Sequence, residues 1–373
     1  MTPDQELPLE VFRRVIREAI DREAFDCSSE ATPLQSVCLS YQRSEQAWLN
    51  KRLQTLHVRQ PGIIYGFYES PQDELQAYAI ENRTQTPGFI AVSSFCVVSF
   101  GFFFRAALAH RNVLNEFGNS SHEMSPAEMG PGPHTFAAPR DPERLQLAKL
   151  ITMMAIRFLT AHEMTHILNG HIRYKLGIQN QNSMAEARQR LSPRDAIFRQ
   201  TLEMDADAGC VVECMPFVIF AEKDPEEPIR IGCHAVYRTP EAALRLWLFA
   251  VYGICRLLSE GSPPIPIEES SHPSPMLRVR MIMGTLYEFL KREKLGRLLD
   301  LVPGLIGQAI QDGEAAYAAV LNRTPNTEPL GIALSDEAQK QIAGIIAEWR
   351  HVRPIIEPFA RSGGRLAPLP DDL

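Results

Sequence analysis

The chain has little of what marks an exported, nucleic-acid-binding or membrane-spanning protein. Its seven cysteines (Cys27, Cys38, Cys96, Cys210, Cys214, Cys233 and Cys255) are odd in number and scattered over 373 residues, with no CxxC pair. That excludes a disulfide framework and fits reduced thiols in a cytoplasmic protein. The N-terminus begins acidic and turns amphipathic, without a basic stretch leading into an apolar one, so no secretory signal is expected. Basic residues do not predominate: 38 Lys and Arg face 45 Asp and Glu, for a net charge of −7. No basic-aromatic stripe appears either, and nucleic acid is not an expected partner.

One apolar run, Gly88 to Phe104, tests the absence of a membrane span: its apolar core of 16 residues from Phe89 falls short of the roughly 20 that span a bilayer, is broken by three serines and a glycine, and is closed by Arg105. It predicts a buried strand running into a buried helix, with a membrane anchor over 89–104 as the rival reading. GxSxG, GxxxxGK[ST] and GxGxxG are all missing, which removes the nucleophile elbow and the phosphate-cradling loops.

A globular composition is present: 45% hydrophobic and 22% charged, with 28 prolines gathered in clusters. Helical spacing covers 5–25 and 43–58, and the last 20 residues read as a loose tail. Three β-rich runs, Gly62–Tyr68, Leu75–Ile80 and Phe89–Val92, are punctuated by Pro-Gly and predict a small antiparallel meander. Ser93 and Ser94 can cap a helix over about 95–116. A Pro/Gly-rich insert, 118–142, separates this from a long helix opened by Asp141-Pro142 and running to about Asn169. Further helices are expected near 193–219, 240–259, 276–293, 297–320 and 334–351, with an acidic loop at 221–230. The chain divides into an N-terminal helical segment (1–60), a central unit (61–295) and C-terminal helices with a tail (296–373).

The chemistry lies in His162-Glu163-Met164-Thr165-His166, an HExxH. Residues four apart on a helix are offset by about 40°, so both imidazoles leave one face at successive turns and can take two corners of a tetrahedral zinc site. Glu163 sits beside that pair, placed to take a proton from a zinc-bound water. With ten histidines in the chain, chance alone gives roughly 0.02 such matches. A solvated helix surface is the plain alternative, but the apolar flanks, Leu150–Thr160 and Ile167-Leu168, bury this helix, and buried polar groups need partners or a metal.

A third ligand must come from elsewhere. His171 is one residue early for a HxxGxxH metal site and about 140° round the helix from His166; a histidine near a helix C-terminus is the simpler reading. Glu203 is the better candidate. Asp207 shares its face one turn on, where a carboxylate can accept the second N–H of a ligand histidine, expected to be His166. Ala206 and Ala208 would let two helices approach. Cys210 and Cys214 continue the face as small packing residues.

HExxH followed by a helix bearing ExxAD (Glu203 to Asp207) resembles the gluzincin metallopeptidases, in particular the HtpX and CAAX-prenyl-protease-like group and the Lit-type phage-exclusion peptidases. Ala77–Asn82 and Gly88–Ser94 resemble the strand that precedes the active-site helix there. Ser271-His272-Pro273 through Arg278 resembles the His-Pro…Arg segment that follows the metal helices. The resemblance covers about residues 75–285. It implies an α+β, mainly helical gluzincin-like core with a small antiparallel sheet and two metal-bearing helices. One Zn2+ per chain would be held by His162, His166 and Glu203, with Glu163 as general base. His272 or Arg278 would stabilise the oxyanion, and Phe89, Ile90, Ala91 and Val92 would align an extended protein or peptide substrate by strand addition. The expected activity is zinc-dependent endopeptidase, with one dedicated protein target as a compatible refinement. The alternative is a non-catalytic zinc-stabilised scaffold or sensor of the same fold. Glu163 speaks against that alternative, since a structural site has no use for it and prefers four protein ligands.

Overall fold

The computed structural model describes residues 8–28, 30–58, 62–70, 74–82, 87–125, 128, 133–179, 183–185, 190–219, 239–260, 266–326 and 328–369. The acidic loop expected at 221–230 lies outside the described residues, as does most of the polar stretch around 180–189. The architecture is α+β and mainly helical, as expected, with one four-stranded sheet.

Helix α1 (Pro8–Ile20) buries Phe12, Val15 and Ile16, the stripe its spacing predicted. α2 (Pro33–Thr55) begins at Pro33 rather than near 43. The cause is local: Thr32 and Gln35 form a capping box and proline fills the first turn. The strands are β1 (Ile63–Tyr68), β2 (Ala77–Ile80), β3 (Gly88–Ser93) and β4 (Ser183–Ala185), in the order β1-β3-β2-β4. β1 runs parallel to β3, pairing Ile63 with Gly88 through Tyr68 with Ser93, while β2 lies antiparallel on the other edge of β3. The sheet is therefore mixed, which corrects the antiparallel meander. β3 is buried at every position, and a strand apolar on both faces is most stable inside a sheet rather than at its edge. β4, pairing with β2, arises in the stretch expected to be loop.

The apolar run from Gly88 divides between β3 and α3 (Ser94–Leu108), capped by Ser93, whose Oγ accepts from Phe95 N at 3.2 Å. α3 packs along α4 (Pro142–Leu168), which starts at Asp141-Pro142 as expected, with Asp141 accepting from Arg144 N. Arg144 also explains why α3 stops at 108 and not near 116. Its buried guanidinium takes the carbonyls of Leu108, His110, Val113, Leu114 and Phe117. A charged donor with five good acceptors outweighs further helical turns.

α5 (His171–Gln179) follows at once. Then come α6 (Pro193–Ile219), α7 (Pro240–Glu260), α8 (Pro275–Arg292), α9 (Gly296–Leu321), α10 (Glu328–Ala333) and α11 (Asp336–Ile356). α4 lies at the centre, against α3, α6, α7 and the β2–β3 side of the sheet. Among the described residues one helix, Pro240–Ser259, is long and apolar enough to cross a membrane, and 72% of it is buried inside the fold. Ser94–Leu108 is apolar but shorter.

The described C-terminal residues, up to 369, are not a loose tail. Beyond α11 the chain folds back over the end of α4, where Arg361 N donates to Leu168 O at 2.7 Å and Arg365 N to Asn169 Oδ1 at 2.8 Å. Ala367 N donates to Asp205 Oδ1 at 2.6 Å. Gly364 makes the crossing possible: a Cβ there would stand 2.3 Å from Leu168 O.

Candidate metal centre

α4 carries His162 and His166 one turn apart on its buried face, and α6 brings Glu203 to meet them. The helices touch because position 209 has no side chain; a Cβ on Gly209 would lie 2.4 Å from Thr165 Cγ2 on α4. The two Nε2 atoms are 3.1 Å apart, and Glu203 Oε2 is 3.2 Å from that of His162 and 3.5 Å from that of His166. A tetrahedral ion with bonds of about 2.0–2.1 Å sets its ligand atoms about 3.3–3.4 Å apart. The three observed edges straddle that value. All three side chains are buried, and the group can hold a metal ion.

Comparison with known proteins returns no match: no family model, no curated protein and no solved structure.

The electrostatics suit a cation. Burial pushes the Glu203 carboxyl up, yet His272, His166 and the hydrogen bonds from both α4 histidines outweigh it and hold it well below the usual carboxylate range. Burial, opposed by Glu203 and aided by His162 and His171, lowers His166 to about 3. The histidine is thus neutral and the glutamate ionised, the states that ligation requires.

Around these three, several expected residues take altered places. Asp207 Oδ1 lies 3.0 Å from Nδ1 of His162, not of His166. The crossing of α6 over α4 sets this, since Asp207 is one turn beyond Glu203 and so falls beside the earlier histidine. Arg278, on α8, grips Asp207 with two nitrogens at 2.8 and 3.0 Å. Two of its three nitrogens thus face the carboxylate behind His162, so Arg278 holds Asp207 in place against that ring. The pairing also holds Asp207 below its ordinary value, although burial alone would raise it.

His272 does reach the centre. Its Nε2 is 3.2 Å from Glu203 Oε2, while Nδ1 meets Ser271 Oγ at 2.9 Å. Glu163, next to His162 in the chain, is buried, and the Tyr78 hydroxyl on β2 feels its charge in addition to the larger effect of burial.

Phe89, Ile90, Ala91 and Val92 cannot add a substrate strand. β3 is paired on both edges and those four side chains are fully buried. The signal was in the sequence, because a run without polar alternation marks an interior strand.

Asp205, Arg199 and Lys175 escaped sequence reasoning, and His171, weighed there as a third ligand or a helix-terminal histidine, takes another place. His166 Nδ1 faces His171 Nδ1 at 2.8 Å, and His171 Nε2 lies 3.1 Å from Asp205 Oδ2. Arg199, one helical turn before Glu203, approaches its Oε1 at 3.9 Å. Lys175 on α5 is lowered to about 7, by burial first and then by Arg199, with Glu203 opposing. Arg199 was findable at i−4 from the ligand.

Proposed function

We propose that the chain is a zinc-dependent endopeptidase. The observation that carries this is the ligand triangle of His162, His166 and Glu203, with edges of 3.1 to 3.5 Å; a buried carboxylate, Glu163, follows His162 in the chain. Two imidazoles and one carboxylate, with a corner left open, are the donor set of catalytic zinc. Such a metal, when bound, lowers the pKa of water and polarises a carbonyl.

The protein's own groups do the rest. Glu163 accepts the proton from the attacking water and passes it to the leaving amine. Asp207, held by Arg278, keeps His162 with its proton on Nδ1 and Nε2 free. His272 is the donor at the cluster available to a developing negative charge, a placement worth several kcal/mol in such sites. With β3 paired on both edges, the substrate does not add to that strand.

The test compares wild type, His162→Ala and Glu163→Gln by zinc content and by cleavage of an unstructured protein and a quenched peptide library. Wild type should carry about one zinc per chain and cut. The His162→Ala protein should lose both properties. Glu163→Gln should keep zinc and lose cleavage by at least 1,000-fold, since glutamine retains size but cannot take a proton. Undiminished cleavage by Glu163→Gln would overturn the assignment. A zinc-loaded wild type with biological effect unchanged in that variant would favour the scaffold reading.

A further inference from the structure

The two histidines are supported differently. Behind His162 stands Asp207, held by Arg278 on α8. Behind His166 stands a longer chain of contacts that leads to the C-terminal residues. If His166 offers Nε2 to a metal, its proton is on Nδ1 and is donated to His171 Nδ1, 2.8 Å away. His171 must then carry its own proton on Nε2, which faces Asp205 Oδ2 at 3.1 Å. The tautomers of both rings follow from one carboxylate.

Asp205 is fixed in its turn. Its Oδ2 accepts from Asn169 Nδ2 at 2.5 Å and its Oδ1 from the backbone of Ala367 at 2.6 Å. Asn169 accepts from Arg365 N at 2.8 Å and donates back to Arg365 O at 3.2 Å. The C-terminal strap, the segment Arg361 to Ala367 that folds over the end of α4, is pinned further by Arg361, whose backbone meets Leu168 O at 2.7 Å and whose Nε meets Glu81 at 3.0 Å. Every link is buried or partly buried.

We infer that Asp205 and His171 are positioning residues for His166, and that the C-terminal strap, Arg361 to Ala367, holds them, so that metal affinity depends on a segment some 200 positions from the ligand. The inference rests on the reading of His162, His166 and Glu203 as a metal site. Loss of a partner behind a ligand histidine costs about 10- to 100-fold in metal affinity. The strap should show the same loss although it touches no ligand.

Zinc affinity is measured by competition with a chromophoric chelator, and Co2+ is used as a spectroscopic probe of ligand geometry, on the full-length wild type and four variants. His171→Leu and Asp205→Asn should each weaken zinc 10- to 100-fold and shift the visible Co2+ bands. His171→Gln, whose carbonyl can accept from His166 Nδ1, should recover most of the affinity. Gly364→Val, which drives the strap off Leu168, should weaken zinc about 10-fold, and combined with Asp205→Asn it should add little, because both act through one chain of contacts. Wild-type affinity and an unshifted spectrum in folded His171→Leu and Asp205→Asn would overturn the inference and leave the metal site standing. Should Gly364→Val fail to fold, the His171→Leu and His171→Gln pair still decides. If wild type binds neither ion, the site reading fails and the inference falls with it.

Discussion

His110 shows how a single side chain can tie stability to pH far from the metal centre. It is 3% exposed, and neither ring nitrogen has a hydrogen-bond partner among the described residues. It lines a cleft of about 240 Å³ together with His134, Asn112 and Arg323. Burial, and then the neighbouring His134, push it down to about 4. An unfolded histidine titrates near 6.5. Between about pH 6.5 and 4 the unfolded chain therefore binds a proton that the folded chain refuses, and stability falls as pH drops through that window. Above it both states are neutral and the slope vanishes. The expected loss is about 2 kcal/mol, allowing for water in the cleft. Urea midpoints measured from pH 7 to pH 4 should fall less steeply in His110→Phe than in wild type; parallel curves would show that His110 is not the group responsible. At this scale the grouping of His162, His166 and Glu203 was legible and the residues around it only partly so. Helical periodicity alone puts His162 and His166 on one face and Glu203 with Asp207 on another. It cannot say which histidine Asp207 meets, because that depends on how two helices cross. Asp205 was further out of reach: two residues from Glu203 is about 200° of rotation, so a helical wheel turns it away from the site. It belongs there only because the chain reverses after Asn169 and brings His171 round to it.

Among the elements, the closeness of α4 and α6 is the dimension on which the centre depends, and Gly209 sets it. A Cβ at 209 would stand 2.4 Å from Thr165 Cγ2 and 2.7 Å from its Oγ1. Gly→Ala in a helix usually gains about 0.5–1 kcal/mol. Forcing apart a packed pair costs about 1–3 kcal/mol, and here the second term is larger because the clash is with a short β-branched side chain. Gly209→Ala should lower the thermal midpoint and weaken zinc binding together, since parting the helices lengthens the Glu203 edges of the triangle. Adding Thr165→Ala removes both close atoms and should restore much of the loss, read as coupling in a double-mutant cycle. A Gly209→Ala protein as stable and as zinc-tight as wild type would mean that the helices do not meet there in solution. The sequence foretold this contact only in kind, through Ala206 and Ala208; the side chain that α6 had to avoid was on another helix. The sheet follows the same rule. β1, β2 and β3 are written in their own residues, whereas β4 (Ser183–Ala185) lies in a polar stretch that gives no strand signal, and the parallel pairing of β1 with β3 joins stretches that composition cannot relate.

For the molecule as a whole, the question is whether the three sequence segments come apart separately. One buried cluster draws on all of them, and it contains Trp48 from 1–60, Trp247 from 61–295 and Trp349 from 296–373. Buried charges join the segments too. Arg157 on α4 holds Glu45 on α2 at 2.7 Å and lies over the Trp48 ring at 4.6 Å. Arg52 on α2 pairs with Glu213 on α6, and Arg361 in the strap with Glu81 after β2. Removing one partner of such a pair leaves a buried charge uncompensated, at a cost of about 3–5 kcal/mol. Neither terminal segment can therefore leave without exposing the core and stranding an ion. The chain should unfold as one cooperative unit. The three tryptophans make this measurable: three proteins, each retaining one and carrying Phe at the other two positions, are unfolded in urea. Within each protein the fluorescence curve should superimpose on the far-ultraviolet circular dichroism curve, the coincidence that marks a two-state transition. Comparing probes inside one protein removes the effect of the substitutions on the midpoint. A Trp48 signal that changes at lower urea than the helical signal would show the N-terminal helices detaching first, and an early Trp349 signal would do the same for α11. Because the strap follows α11 after one short turn, Glu357–Phe359, and reaches Asp205, early loss of Trp349 should also coincide with release of the metal.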